Sequence, residues 1–299
     1  MSYTAPWWQS LFDFSDYGQL LPLVRNSLLA GALLALVGGL VGVFVMQRDL
    51  AFAVHGVSEL SFAGASVALL CAIDVTVGAV IGSLVAALVI GVAGSRARER
   101  NSIIGVLMPF GLGLGVLALA LYPGRAANKF GLLTGQIVAV DDSRVGATAA
   151  ICAVVVAGLL LVWRPLTFAS VDPEVAAARG VRTRALSLVF MLLLGLAVAV
   201  AVQVVGALLV LSLLITPAAA ATRITASPLW TPVLAVVFAE VAALGGILLA
   251  LGASVPISPY ITTISFVIYL VCRWVGWHRR RRGWVRRPAI SGGGGTIAA

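Results

Sequence analysis

Apolar segments long enough to cross a bilayer, which takes about 20 residues, follow one another from residue 24 to residue 275. In lipid every backbone N–H and C=O must be satisfied within the protein, so a spanning chain is either helical or a closed barrel. The runs here are unbroken mixtures of Leu, Ala, Val and Gly without the period-two alternation of barrel strands, which predicts helices. The fold class read from the sequence is all-α, a polytopic membrane protein of about eight to nine transmembrane helices. Composition agrees: 10% of the residues are charged, against roughly 25% in a soluble domain.

The segments fall at 24–46, 54–73, 75–94, 102–122, 145–163, 185–204, 205–221, 230–252 and 260–275. Segments 185–204 and 205–221 abut without a polar loop, which leaves the count between eight and nine. Residues 130–140 are apolar but too short to cross and are expected to be re-entrant or tucked against the bundle. Residues 1–22, with Trp7, Trp8, Phe12, Phe14 and Tyr17, read as an interfacial segment with its aromatics at headgroup depth. Asp13 and Asp16 stand where a secretory signal would need a basic and then an apolar stretch. A transmembrane domain over 23–277, interrupted by a polar loop at 165–184, is followed by a basic tail, 278–299, expected to be disordered.

The loops divide the charge unequally. Sixteen of the 20 Lys and Arg lie on one side, and Arg25, Arg125, Lys129 and Arg144 lie on the other. The positive-inside rule places the richer side, with the C-terminus, in the cytosol, and nine crossings place the N-terminus outside. The net charge of +9 is held in these span-end clusters and is not the footprint of a nucleic-acid partner. Cys71, Cys152 and Cys272 are far apart and give neither a disulfide framework nor a cysteine metal site.

Four features carry chemistry. His55 and Glu59 stand four residues apart, on one helical face. A carboxylate in mid-membrane normally lines a polar cavity or pathway, and imidazole with carboxylate is a two-ligand fragment for zinc or manganese. The competing reading is structural, a histidine hydrogen-bonded between helices and a Glu59 paired to an arginine. Arg48 and Asp49, at the inner interface, read as a structural ion pair. Glu240, in the middle of 230–252, is either a second pathway residue or a buried group paired with Gln203 or a hydroxyl.

In the polar loop, Asp172 is a good N-cap and Pro173 suits the first helical position. Glu174 and Arg179 complement the two ends of the helix dipole, and Gly180 stops the helix. Two turns of helix are unstable alone, so this element is expected to dock on a partner. Its small, Ala-rich face argues against an anchor in lipid headgroups. Pro217, inside 205–221, predicts a kink, and the alanines after it allow close helix approach. The Gly111, Gly113 and Gly115 run lies within an apolar span and reads as helix packing rather than a dinucleotide loop. No Walker-type phosphate loop occurs in the sequence, so ATP hydrolysis is not expected on this chain.

Three patches in this order and spacing resemble the membrane-spanning permease of ABC-3 type importers, the zinc, manganese and iron-chelate class, over roughly residues 20–275. They are Gly42-Val43-Phe44-Val45-Met46-Gln47-Arg48 leading into the His55 helix, the 172–180 loop, and 205–221 with Thr216-Pro217-Ala218-Ala219. The resemblance implies a multi-pass transport subunit of a bacterial plasma membrane, with no enzymatic activity of its own and no permanently bound cofactor. It implies a homodimer working with two cytosolic ABC ATPase subunits and an extracytoplasmic metal-binding protein. It also implies that the 172–180 loop is a coupling helix seated in an ATPase groove and that the His55 helix lines the path of a divalent metal. The imidazole places Zn2+ slightly ahead of Mn2+. One departure stands out: the family carries an acid one turn before its histidine, whereas here that position is Ala51 and the acid is Glu59, one turn after.

Two other classes fit the sequence less well. A stand-alone proton- or sodium-coupled carrier would use Glu59 and Glu240 as proton-binding groups, but such folds often show internal inverted repeats, none is visible here, and a carrier needs no docking loop. An intramembrane metalloenzyme would need a third protein ligand, and the only other histidine, His278, stands in the basic tail.

Overall fold

The structure, a computed structural model, describes residues 21–93, 97–124, 141–207, 209–251 and 257–281, with Gly18. Most of the 1–22 segment, the 130–140 piece and everything beyond Arg281 lie outside the described residues. Within them the chain is helical throughout: a 3-10 turn (Leu21–Val24), then α1 (Arg25–Gln47), α2 (Ala51–Leu70), α3 (Val75–Ala93), α4 (Ala97–Leu121) and α5 (Asp142–Val171). The short α6 (Pro173–Ala178) precedes α7 (Thr183–Val205), and α8 (Val210–Leu214), α9 (Thr216–Ile224), α10 (Trp230–Ala250) and α11 (Ile257–Arg281) complete the bundle.

Eight of these helices, α1 to α5, α7, α10 and α11, are long and apolar enough to cross a membrane. The ninth expected span does not form as one helix. Gly206 has φ of +90°, a backbone region open to glycine and strained for other residues, and it turns the chain at the end of α7. The next helical stretch, Val210–Ile224, is shorter than a full crossing. It is divided at Ile215 into α8 and α9, and Pro217 opens α9 in its first turn. The expected kink is therefore a helix start. A second difference is α5, which the sequence ended at 163. It continues through Arg164 and Pro165 to Val171, since an intramembrane proline is tolerated where neighbouring groups support the backbone.

α2 combines the lowest mean hydropathy among the crossing helices (1.3, shared with α11) with the highest burial (72% of its span, shared with α7). Its polar residues are thus enclosed by protein rather than lipid. It packs chiefly against α3 and α4 and touches α7, whereas α1 packs against α10, α5 and α9. Three glycines set the rotation of α2. A Cβ on Gly64 or Gly78 would meet the other's carbonyl, and one on Gly82 would meet the carbonyl of Leu60. Backbones this close need small residues in the seam, and the seam decides which way His55 and Glu59 point.

Two ties hold α8 and α9 to α11. Ser265 Oγ donates to the Ser212 carbonyl (3.1 Å), and Gly276 lies against the carbonyl of Arg223. At the head of α3, Asp74 Oδ1 accepts the N–H groups of Thr76 (2.8 Å) and Val77 (3.2 Å). Burial works upward on its pKa, but the Val77 and Thr76 N–H groups, helped by the charge of Arg144, outweigh it and hold the carboxyl below its ordinary value. The cap therefore supports α3 above the ordinary carboxylate pKa and is lost as pH falls through the lowered value. In acid melts, Asp74→Asn is expected to remove that part of the pH dependence.

Candidate functional site

His55 and Glu59 lie on the second and third turns of α2. Nε2 of the histidine is 3.9 Å from Oε1 of the carboxylate, with the side chains 28% and 7% exposed. That distance is too long for a hydrogen bond, yet it leaves room between the two atoms for a cation about 2.0–2.2 Å from each. The remaining polar atoms, His55 Nδ1 and Glu59 Oε2, are buried without a hydrogen-bond partner. Buried polar groups are nearly always satisfied, so such orphans ask for an explanation. Among the described residues no arginine pairs with Glu59, and the structural reading of the pair loses that support. Surrounding atoms are apolar: Gly56 faces Ile104 and Met108, and Gly111 of α4 backs onto the Glu59–Leu60 peptide. Gly111 and Gly115 of the α4 glycine run are thus packing positions, as the sequence suggests, whereas nothing lies within 4 Å of Gly113.

Glu240 does not join this pair, because no group of three or more His, Cys, Asp or Glu forms among the described residues. It is half-buried on α10. The partner considered for it, Gln203, is engaged elsewhere: it accepts from Thr76 Oγ1 (2.9 Å) and donates to the Ala199 carbonyl (3.3 Å). Among the described residues the chain therefore brings two side chains of the His, Cys, Asp and Glu class together at this position.

The 172–180 loop forms the short helix read from its caps. Asp172 Oδ1 accepts the Val175 N–H (3.0 Å), and Pro173 opens the helix. At the other end Gly180 has φ of +83°, and the N–H groups of Gly180 and Val181 return to the carbonyls of Ala177 and Ala176. This paired arrangement closes a helix on a left-handed glycine. Ala176 is buried against the bundle, whereas Pro173, Glu174, Val175, Arg179 and Gly180 are exposed. Pro217 is buried at the head of α9.

Arg48 and Asp49 do not pair. Asp49 takes φ of +55° in the tight connection between α1 and α2, so the two neighbours diverge. The Asp49 carbonyl accepts from Arg100 Nη2 (3.2 Å). Arg48 instead reaches Ser170, with Nη1 3.5 Å from Oγ, and lies 5.8 Å from the centroid of the Phe190 ring. Phe190 in turn packs edge-on against Phe44 (5.9 Å), which packs on Trp163 (4.9 Å). The foot of the His55 helix is thereby tied to the end of α5, directly before α6. Sequence reasoning missed this link, which spans 122 positions and has no local signal.

Residues 21–276 match the model of the ABC 3 transport family. The chain belongs to that family. Among its relatives is the manganese transport system membrane protein MntC of Halalkalibacterium halodurans, 29% identical over 75% of this chain and 77% of that protein. Another is the manganese import system permease protein ScaB of Streptococcus parasanguinis, 27% identical over 90% of this chain and 96% of the relative. In three dimensions the chain is similar to a solved structure of PsaBC from Streptococcus pneumoniae in complex with a Fab. The TM-score is 0.80, with 23% identity, covering 90% of this chain and 99% of that one. The likeness shows the same fold over almost the whole described bundle.

Proposed function

We propose that this chain is the permease subunit of an ATP-driven importer of a divalent first-row metal ion, with the pathway running along α2. The observation that carries the reading is the enclosed His55–Glu59 pair with two unpartnered polar atoms, set in a chain of the ABC 3 transport family. An imidazole beside a carboxylate suits either zinc or manganese. The names of the relatives put manganese first, and the imidazole keeps zinc beside it. Glu240 is kept as a further pathway residue on α10. The permease works as a homodimer in the bacterial plasma membrane, receives metal from an extracytoplasmic binding protein and has its C-terminus in the cytosol. The exposed α6, with Asp172, Pro173, Glu174, Arg179 and Gly180, seats in a groove of a separate ATPase subunit.

Cells carrying wild type or the double variant Asp172→Ala with Gly180→Pro test the proposal, with zinc and manganese accumulation measured side by side and membrane levels checked. Loss of the cap costs about 1 kcal/mol, and a proline cannot take the positive φ of Gly180, so α6 loses its shape while the bundle remains. Uptake of one metal is expected to fall to background, which also names the substrate. Uptake that survives this change and collapses with the proton gradient would reject the ATP-driven reading.

A further inference from the structure

Glu240 is the last acidic residue in the sequence, and the helix after it ends in a basic, aromatic surface. Arg273, Trp277 and Arg281 are spaced by four along α11, which places them on one stripe. Cys272 is buried and Gly276 lies on the Arg223 carbonyl, so that line of the helix faces the bundle, while the stripe about 100° round from it is exposed. Trp274 and Trp277 are 62% and 48% exposed, and Arg273, Arg279 and Arg281 are exposed with them. The Arg281 guanidinium lies 3.8 Å from the Trp277 ring centroid. Arg223, also exposed, is brought to the same end by its contact with Gly276. Neither α9 nor α11 carries a carboxylate.

Depth and charge together choose the occupant. Twenty residues separate Ile257, the first of α11, from Trp277, which at 1.5 Å per residue is about 30 Å, the thickness of the hydrocarbon core. Indoles favour that boundary, and guanidinium groups bind phosphate oxygens through paired N–H groups. We propose that the end of α11, with Arg223, binds the headgroups of anionic phospholipids.

The test uses the full chain, purified in neutral detergent and titrated with phosphatidylglycerol or phosphatidylcholine of the same acyl chains, with bound lipid counted by native mass spectrometry. Wild type is expected to prefer phosphatidylglycerol. Arg273→Gln, Arg279→Gln and Arg281→Gln are expected to weaken that binding by about fivefold each, and the matching Lys variants to keep most of it. Excess inorganic phosphate is expected not to displace the lipid. Equal binding of the two lipids by wild type would overturn the proposal, a comparison that needs no variant to fold. Displacement by phosphate would make this a free-phosphate site instead. Unchanged lipid affinity in the Gln variants, with loss of co-purifying soluble subunits, would assign the surface to a protein partner.

Discussion

Glu59→Gln is expected to cut metal uptake by at least about tenfold while the chain stays in the membrane at wild-type level, since even groups one shell removed from a metal are commonly worth that much. Glutamine keeps the shape of the side chain, removes the charge and turns one acceptor oxygen into an NH2 donor. A carboxylate 7% exposed, with one oxygen unpartnered, is costly to bury, so the same change is expected to leave the detergent melting temperature unchanged or raised. That combination separates the roles. A packing group would lose stability on neutralisation, whereas a pathway group loses transport. His55→Ala should give the same loss of uptake. Full uptake by Glu59→Gln would reduce the carboxylate to a packing role and take the pathway off this face of α2.

Gly42→Val is expected to be the most damaging single change to the fold. A Cβ at Gly42 would run into the carbonyl of Leu214 and come within 3.1 Å of the Ala218 side chain, so α1 must move away from the junction of α8 and α9. Overpacking against side chains costs about 1–3 kcal/mol. Here the obstacle is backbone, which cannot rotate aside, so a cost at or above the upper end is expected. The readout is folded yield and melting temperature in detergent. Gly105→Val is the control, because nothing lies within 4 Å of that position. Equal yields for the two variants would mean that α8 and α9 are not fixed on α1.

The parts of this architecture that were legible in the sequence rest on local chemistry. The caps of α6 were readable because Asp172, Pro173 and Gly180 act within one or two turns of themselves. The crossing helices were readable because lipid imposes length and composition on every span. The features that escaped depend on partners distant in sequence. The segment 205–221 is apolar enough for a span, and only the turn at Gly206 and the seat on Gly38 and Gly42 of α1 show why it breaks. Arg48 and Asp49 are adjacent in the chain, so an ion pair is the natural expectation, but the left-handed backbone at Asp49 points them apart and leaves Ser170 and Phe190 to hold the arginine. Gln203 belongs to Thr76, and nothing local to Glu240 could say so. Within the candidate site, the facing pair followed from helical period alone. Its two unpartnered atoms needed coordinates.

The ties from α8 and α9 to α11 have a mechanical meaning. Ser212 and Arg223 are eleven residues apart, as are Ser265 and Gly276, so a straight helix is tied at matching points to a broken one, with one tie on each side of the break at Ile215. A broken helix held on both sides of its break cannot slide along its neighbour as a unit; the break itself is the place left to bend. Movement of the Thr216–Pro217 turn would therefore have to bend that break, draw the arginines and tryptophans of α11 along with it, or release one of the two ties.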